Sequence, residues 1–195
     1  MWNERYSQTE YAFGKNPNEF LVEVIQQIPK DLVLCLAEGE GRNAVYLAQQ
    51  GCRVTAVDAS PVGLKKAYKL AAERSVEIET IVADLADFII QPNSWDAIIS
   101  IFCHLPPNLR ANIHRQVVSG LRSGGVFVLE AYTPRQLEFK TGGPPNADLM
   151  MELTTLQQEL DGLEFKHATE VEREIQEGLF HQGHSAVVQL LAVKP

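Results

Sequence analysis

Short apolar runs alternate with segments of helical periodicity along most of this 195-residue chain. Three segments are almost wholly apolar, which is typical of strands buried on both faces of a sheet. They are Leu32 to Leu36, Val54 to Val57 and Trp95 to Phe102. Glu77 to Val82 and Val126 to Glu130 complete a set of five predicted strands. The pattern therefore predicts an α/β fold built on a mostly parallel, doubly wound sheet with helices on both faces.

Helix start and stop signals divide the segments between these strands. A first helix is predicted from Pro17 to Ile28, with Asn16 as its N-cap. Further helices are expected to begin at Ser60-Pro61 and at Pro106-Pro107, because Ser and Pro are favoured at these first positions. Ser123-Gly124-Gly125 is expected to end the second of these helices.

The last third of the chain changes character. Two glycines and two prolines make the segment from Thr141 to Asn146 irregular. A helix-like segment from Ala147 to Glu159 precedes two extended segments, Leu163 to Gln176 and Phe180 to Val193. These are expected to join near Glu177-Gly178 as a C-terminal antiparallel hairpin at the edge of the sheet.

Composition narrows the class of protein. At 21.7 kDa, with 45% hydrophobic residues, the chain is expected to form one domain over 1–195, divided into 1–30, 31–132 and 133–195. The net charge of −8 makes nucleic acid and anionic membranes unlikely as partners, so neither is expected. The N-terminus lacks the apolar segment of a secretory signal, and a cytoplasmic location is predicted. Cys35, Cys52 and Cys103 are expected to be buried, reduced thiols.

The most informative stretch runs from Asp31 to Ser60. The first strand stops at a turn containing Gly39 and Gly41, a helical pattern follows, and the next strand ends on Asp58. This order of elements indicates a nucleoside-binding βαβ unit: a strand, a glycine turn, a helix and a second strand that ends on an acidic residue. Glycine lets the backbone approach a ligand closely, and Asp58 can accept hydrogen bonds from both hydroxyls of a ribose.

The identity of the nucleoside is a separate question. Residues 39–44, GEGRNA, formally satisfy the dinucleotide fingerprint, so the motif alone leaves NAD open. Glu38 and Glu40, however, place carboxylates in the loop that would hold a pyrophosphate. S-adenosylmethionine has no phosphate, and its sulfonium and amino groups are cationic. The acidic loop therefore favours S-adenosylmethionine, and the chain is also short for a dehydrogenase with a second domain.

The N-terminal segment is polar but unusually rich in aromatic residues. They are Trp2, Tyr6, Tyr11, Phe13 and Phe20. Two interpretations stay open: the rings anchor the terminus to the body of the protein, or some of them form a lid over the ligand.

Five segments resemble the motifs of the class I S-adenosylmethionine-dependent methyltransferases. They are VLCLAEGEGRNA, TAVDAS, VADLAD, DAIISIFCHL and LRSGGVFVLE, and together with the tail they extend the resemblance over nearly the whole chain. The GEGRNAVYLAQQG and FCHLPP segments look most like the small tellurite-resistance and thiopurine-methyltransferase-like branch. The resemblance implies a Rossmann-like, seven-stranded sheet of order 3-2-1-4-5-7-6.

The resemblance also implies roles for individual residues. Gly39 and Gly41 would face the methionine moiety, Asp58 the ribose, and Phe102 the sulfonium. The remaining implied cofactor-binding residues are Glu38, Arg42, Asn43, Ala59, Asp84 and Leu85, with Asp84 and the Leu85 N–H at the adenine.

The chain departs from the family pattern at two positions. Cys35 stands where an acidic residue is usual, and Ala37 where the first glycine is. Glu38 is the residue that could supply the missing carboxylate. The leading hypothesis is a methyltransferase of a small molecule, with a thiol or metalloid as the acceptor and S-adenosylhomocysteine as the product. A nicotinamide-dependent oxidoreductase and a noncatalytic S-adenosylmethionine-binding module are the alternatives.

Methyl transfer is an in-line displacement that needs alignment and a dry cleft, with no metal. A hydroxyl or amine acceptor would also need a base, and His104 just beyond the fourth strand is the candidate, although a capping role is an equal alternative. His181 and His184 are expected to face solvent. Tyr11, Arg135 and Thr141 are candidate substrate contacts, and a monomer or weak homodimer is expected.

Overall fold

The computed structural model describes residues 2–195; Met1, the first residue of the predicted N-terminal segment, lies outside them. The seven strands are β1 (Leu32–Leu36), β2 (Arg53–Asp58), β3 (Glu79–Val82), β4 (Trp95–Ile101), β5 (Leu121–Tyr132), β6 (Glu164–Glu177) and β7 (His181–Val193). The α-helices are α1 (Trp2–Tyr6), α2 (Glu19–Val24), α3 (Arg42–Gln49), α4 (Pro61–Glu73), α5 (Pro107–Gly120), α6 (Gln136–Phe139) and α7 (Leu153–Glu159). Two short 3₁₀ helices, Ile25–Gln27 and Ala147–Leu149, follow α2 and precede α7.

All seven strands form one sheet in the order β3-β2-β1-β4-β5-β7-β6, as the resemblance implied. The first five strands pair in parallel. β7 pairs antiparallel with β5 and with β6, so the predicted C-terminal hairpin is confirmed. The parallel order places the carboxyl ends of β1, β2 and β4 at one edge, where ligands bind in doubly wound folds.

Alternating residues along each central strand supply two separate cores. Val33 and Cys35 pack with α2, α3 and α4 on one face, whereas Leu34 and Leu36 pack with α5 and α7 on the other. The three cysteines are free and buried, as predicted. No helix of residues 2–195 has the length and apolar character needed to cross a membrane.

Several predicted boundaries are wrong. The first helix begins at Glu19, because the Asn18 side chain rather than Asn16 accepts the capping hydrogen bond, from the Leu21 N–H. The segment from Ala147 to Glu159 is divided into a 3₁₀ turn and α7. β3 begins two residues later than predicted.

The fifth strand is also longer than predicted. Ser123-Gly124-Gly125 lies inside β5 instead of ending the helix. The reason is pairing between distant segments: the Gly124 N–H donates to the Lys194 carbonyl (2.8 Å), and the Lys194 N–H donates to the Gly125 carbonyl (2.9 Å). The C-terminal end of the chain thus extends the strand over residues whose local sequence is typical of a turn.

Candidate functional site

The turn after β1 brings three residues with positive φ together: Ala37 (48°), Gly39 (63°) and Gly41 (88°). A Cβ on Gly39 would lie 2.6 Å from the Tyr6 hydroxyl, so the turn packs directly under α1. A Cβ on Gly41 would lie 2.5 Å from that of Ala67 in α4. The side of Gly41 on which a Cβ would lie therefore faces α4, so the glycine is needed for helix packing, and its contact with the methionine moiety stays a prediction.

Asp58 lies against this turn, at the end of β2. One carboxylate oxygen accepts a hydrogen bond from the Gly39 N–H (2.8 Å), and the other accepts one from the Ser60 N–H (2.7 Å). A carboxylate has about four acceptor positions, so acceptor capacity remains for a ligand. Burial raises the pKa of Asp58 despite these two backbone bonds. A desolvated acid without a cationic partner is typical of a binding site.

Glu38 caps helix α3. Its Oε1 accepts from the N–H groups of Asn43 (3.0 Å) and Ala44 (2.8 Å), which are among the unpaired donors of the first turn. Burial raises the pKa of Glu38 to about 7, although these bonds oppose the shift. Its Oε2 makes no hydrogen bond within residues 2–195.

Glu40 does not line the cleft. Its Oε2 accepts from the Ala12 N–H (2.7 Å), and its Oε1 accepts from the Lys66 ammonium (2.5 Å). The expectation that both acidic residues of the loop face the ligand is wrong for Glu40. Its carboxylate instead ties the N-terminal segment to α4.

The side chains of Arg42 and Asn43 also have partners inside the protein. Arg42 pairs with Glu177 (2.6 Å) at the end of β6, and both groups are buried. The Asn43 side-chain oxygen accepts from the Asn18 N–H (2.9 Å). These two side chains attach the hairpin and the N-terminal segment to α3, and a contact of Arg42 or Asn43 with the cofactor stays a prediction.

The far side of the glycine turn is open. Ala59 and Asp84 are exposed after β2 and β3, and one oxygen of Asp84 accepts from the Ala86 N–H (2.9 Å). The Leu85 side chain is buried, but its N–H makes no hydrogen bond within residues 2–195. An unpaired N–H beside an exposed carboxylate suits the edge of an adenine ring.

The carboxyl end of β4 carries Phe102 in a left-handed conformation (φ 52°), which is uncommon for an aromatic residue. Its N–H donates to the Glu130 carbonyl (2.7 Å). Its ring centroid lies 4.7 Å from that of Tyr132 and 4.6 Å from that of His181. Three rings from β4, β5 and β7 therefore meet at one end of the sheet.

His104 is held by the fold at both ring nitrogens. Its Nδ1 lies 2.9 Å from the Leu149 carbonyl, and the Tyr132 N–H donates to its Nε2 (3.5 Å). This pattern assigns the proton to Nδ1. Burial lowers the pKa of His104 to about 4. The geometry thus favours the structural alternative over the base that the sequence predicted.

The candidate substrate contacts make surface or structural bonds. The Tyr11 hydroxyl donates to the Lys66 carbonyl (3.1 Å) on α4. Arg135 pairs with Glu172 (2.8 Å) at the surface. The Thr141 hydroxyl donates to the His184 carbonyl (2.7 Å) and thereby fixes the loop that follows α6. Their roles in substrate binding are not supported by these contacts.

Comparison with known proteins identifies a family that part of this chain resembles. Residues 33–125 match the model of a family described as a methyltransferase domain. A 2-heptyl-1-hydroxyquinolin-4(1H)-one methyltransferase of Mycobacteroides abscessus is 27% identical over 141 residues, 71% of this chain and 60% of that protein. A carboxy-S-adenosyl-L-methionine synthase of Aeromonas hydrophila is 26% identical over 110 residues, 55% of this chain and 42% of that protein. The chain thus spans about half the length of these curated relatives.

Solved structures agree on the fold. TehB from Haemophilus influenzae superposes with a TM-score of 0.77 at 20% identity, covering 100% of this chain and 66% of that one. The N-methyltransferase NodS from Bradyrhizobium japonicum superposes with a TM-score of 0.70 at 14% identity, covering 98% and 95%. Residues 33–125 thus resemble a methyltransferase domain, and the whole chain shares the fold of these solved structures.

The residues around the glycine turn suit S-adenosylmethionine, the cofactor that the resemblance implies. Asp58 keeps free acceptor capacity beside the glycine turn, and the unpaired Leu85 N–H lies next in the chain to the exposed Asp84. The free Oε2 of Glu38 offers an anionic partner for a cationic amino group. Tyr6 covers Gly39, so the N-terminal segment forms part of the cofactor cleft wall.

Sequence reasoning missed three residues beside the candidate site, Tyr132, Glu177 and His181, and it named Tyr6 only among the N-terminal rings. His181 is 8% exposed, so the expectation that it faces solvent is wrong, whereas His184 is exposed as predicted. The one sequence signal for these contacts was the number of aromatic residues near the N-terminus. One of them, Phe13, packs on His181 with 4.5 Å between the ring centroids. Both interpretations of those rings remain, because they anchor the terminus and also cover the glycine turn.

Proposed function

We propose that this chain transfers the methyl group of S-adenosylmethionine to a small molecule by in-line displacement. The observation that carries the proposal is the direct bond between the Gly39 N–H and the Asp58 carboxylate, which joins the glycine turn to the acid in one crevice. When bound, the cofactor supplies a methyl carbon activated by a cationic sulfur, which leaves as a neutral thioether with the bonding electron pair.

Each part of the cofactor has a chemically suitable partner in the protein. Asp58 would accept from the ribose hydroxyls, and Asp84 and the Leu85 N–H would bind the adenine edge. The free oxygen of Glu38 would bind the amino group. Phe102 would lie beside the sulfonium, where an aromatic face stabilises positive charge.

The structure also gives a reason to prefer this proposal to a nicotinamide enzyme. In dinucleotide-binding folds the pyrophosphate binds at the N-terminus of the helix after the glycine turn. Here the Glu38 carboxylate already accepts from the Asn43 and Ala44 N–H groups at that position. A second anion there would be repelled and would lose these donors.

The surroundings of Phe102 favour a soft acceptor over an inorganic oxyanion. Two arginines of this region, Arg42 and Arg173, are paired with Glu177 and Glu130, respectively, and so are not free to bind an oxyanion. An oxyanion would need an unpaired cation, whereas a thiol or a reduced metalloid needs none. A thiol or metalloid acceptor is therefore part of the proposal, and the cytoplasm and a monomer or weak homodimer stay predictions.

Thermal unfolding with added ligands tests the proposal. S-adenosylhomocysteine should raise the midpoint of unfolding with increasing concentration, and NADH should leave it unchanged. Protection by NADH alone would overturn the proposal in favour of an oxidoreductase. A methyl-transfer assay over thiols, metalloids and small amines then separates an enzyme from a noncatalytic module, which would bind the cofactor product and methylate nothing.

A further inference from the structure

Two buried polar atoms near Phe102 have no hydrogen-bond partner within residues 2–195. They are the Tyr132 hydroxyl oxygen and the His181 Nδ1. The Tyr132 and His181 rings lie 5.3 Å apart and perpendicular, and each contacts the Phe102 ring. With Phe13, which packs on His181, these residues form what we term the aromatic box (Phe13, Phe102, Tyr132 and His181).

An unpaired hydroxyl in such a place is costly. A buried polar group without a partner loses its hydrogen bonds to water and gains none in return, and native proteins keep few such groups. Tyr132 is fully buried, and the neighbouring Ser185 hydroxyl donates instead to the Gly183 carbonyl (3.1 Å). Burial raises the pKa of Tyr132, so its hydroxyl stays protonated and can act as a donor. The box therefore offers a hydrogen bond that a ligand can accept.

Glu177 orients the other polar member of the box. Burial by itself would raise the pKa of Glu177, but Arg42 and His181 lower it to about 2, so the carboxylate is charged. It lies 3.8 Å from the His181 Nδ1, beyond hydrogen-bond distance but close enough to favour the tautomer with its proton on Nδ1. Nε2 is then the basic nitrogen, and it makes no hydrogen bond within residues 2–195.

We propose that the aromatic box binds the methyl acceptor, with the Tyr132 hydroxyl donating to a thiol sulfur and His181 Nε2 accepting its proton. This inference rests on the proposed function. As the thiol sulfur bonds to the methyl carbon, the carbon–sulfur bond of the sulfonium breaks, and the proton passes from the thiol to Nε2. His181 then acts as the base. His104 is not available for this role, because both of its ring nitrogens already have hydrogen-bond partners. Glu177 is a positioning residue.

The box is closed by the glycine-containing loop after α6. A Cβ on Gly142 would lie 2.8 Å from the Tyr132 hydroxyl, and one on Gly143 would lie 2.9 Å from the Tyr132 ring. The loop backbone thus lies directly on the ring. An acceptor reaches the hydroxyl only when this loop moves, which also keeps water from the reacting atoms.

The tautomer of His181 can be read without turnover. Nitrogen NMR of the full chain with S-adenosylhomocysteine, assigned through His181→Gln, should show a neutral imidazole with its proton on Nδ1. The opposite tautomer, or an imidazolium at neutral pH, would overturn the proposal. The same NMR measurement on the protein without ligand also shows the tautomer of His181. A failure to bind S-adenosylhomocysteine would therefore contradict the proposed function without deciding the role of His181.

Two thiols of different acidity test the proton transfer. Benzyl mercaptan is protonated at neutral pH, whereas 4-nitrothiophenol is ionised. His181→Gln should lower kcat/KM for benzyl mercaptan by at least about tenfold and change it much less for 4-nitrothiophenol. Equal losses for both thiols, or none, would contradict the base role. Exposed His184, on the same strand, provides the control: His184→Gln should change neither rate.

The hydroxyl is tested by Tyr132→Phe, which keeps the ring. Calorimetry with the S-adenosylhomocysteine complex should show weaker binding of benzyl mercaptan by about fivefold or more, since one hydrogen bond is lost. Binding of S-adenosylhomocysteine itself should be unchanged. Unchanged thiol binding would exclude the hydroxyl as a contact.

Discussion

The Gly39 N–H donates to the Asp58 carboxylate across 2.8 Å, although Gly39 lies in the turn after β1 and Asp58 is the last residue of β2. β1 and β2 are parallel neighbours in register, with Leu36 opposite Val57, so the ends of the two strands coincide. The bond fixes the shape of the glycine turn relative to the acid. The crevice for the nucleoside is therefore part of the folded backbone before any ligand binds.

Asp58→Ala should lower the affinity for S-adenosylhomocysteine at least about tenfold, because charge-assisted hydrogen bonds to the ribose are lost. Calorimetry measures the change. Asp96 is a suitable control, since it also accepts from a backbone N–H, that of Leu32, but at the opposite edge of the sheet. Asp96→Ala should reduce stability and leave affinity unchanged. Unchanged affinity in Asp58→Ala would show that the ribose binds elsewhere.

Ala37→Gly should stabilise the protein. A left-handed conformation costs a residue with a Cβ about 1–2 kcal/mol, and the greater freedom of glycine in the unfolded chain removes about 0.5–1 kcal/mol of the gain. The net increase should be up to about 1 kcal/mol, or about 2–4 °C in Tm.

The control for Ala37→Gly is Ala48→Gly, which lies within α3, where glycine costs about 1 kcal/mol and should lower Tm. Equal decreases for both variants would mean that Ala37 is not strained. Urea unfolding of the two proteins gives both values.

The central strands could be predicted because their signal is local. An apolar run such as Leu32 to Leu36 specifies a buried strand by itself, and the order of turn and helix after it specifies the βαβ unit. The strand order came from the resemblance to a family. β5 shows the limit, because its start depends on pairing with Lys194, some seventy residues later in the chain.

Side-chain partners in the site could not be predicted for the same reason. Both His181 and His184 were expected to face solvent, because nothing in the local sequence reveals that Phe13 and Glu177 cover His181. Glu40 was expected to face the cofactor because of its position in the loop. Its actual partners, the Ala12 N–H and Lys66, are each more than twenty residues away.

Gly41→Ala should destabilise the protein more than Gly51→Ala. Both glycines have a left-handed φ, 88° and 93°, so an added side chain is strained equally. At Gly51 the new Cβ has no atom within 4 Å, whereas at Gly41 it meets the Cβ and Cα of Ala67 at 2.5 and 2.7 Å. The difference should be about 1–3 kcal/mol in urea unfolding. Equal decreases in the free energy of unfolding for the two variants would mean that α4 can shift away from the new Cβ at position 41 without loss of stability.

Glu130→Ala should loosen the C-terminal hairpin. The fully buried carboxylate accepts from Asn18 (2.7 Å), Arg173 (2.6 Å) and Gln189 (2.5 Å), so its removal takes a partner from two buried amides and from a partly buried guanidinium. The loss should be about 3–5 kcal/mol in urea unfolding. Glu164→Ala, which breaks an exposed pair with Lys166, should cost less than about 1 kcal/mol.

Glu38 should make stability depend on pH. Its pKa is raised from 4.5 to about 7 in the folded protein, mainly by burial. Between these values the folded state holds a proton that the unfolded chain has released, so the free energy of unfolding decreases as pH rises from about 4.5 to about 7. Asp58 contributes in the same direction, because burial raises its pKa as well.

The contribution of Glu38 is isolated by Glu38→Gln, which cannot titrate. Below pH 4.5 both proteins are neutral at this position, and their stabilities should be similar. As pH rises to about 7, the free energy of unfolding of the variant should exceed that of the wild type by about 1–3 kcal/mol, because only the wild type must ionise a buried group. Urea unfolding at a series of pH values measures the difference. Parallel curves for the two proteins would show that the pKa of Glu38 is the same in the folded and unfolded states, with the N–H groups of Asn43 and Ala44 offsetting the effect of burial.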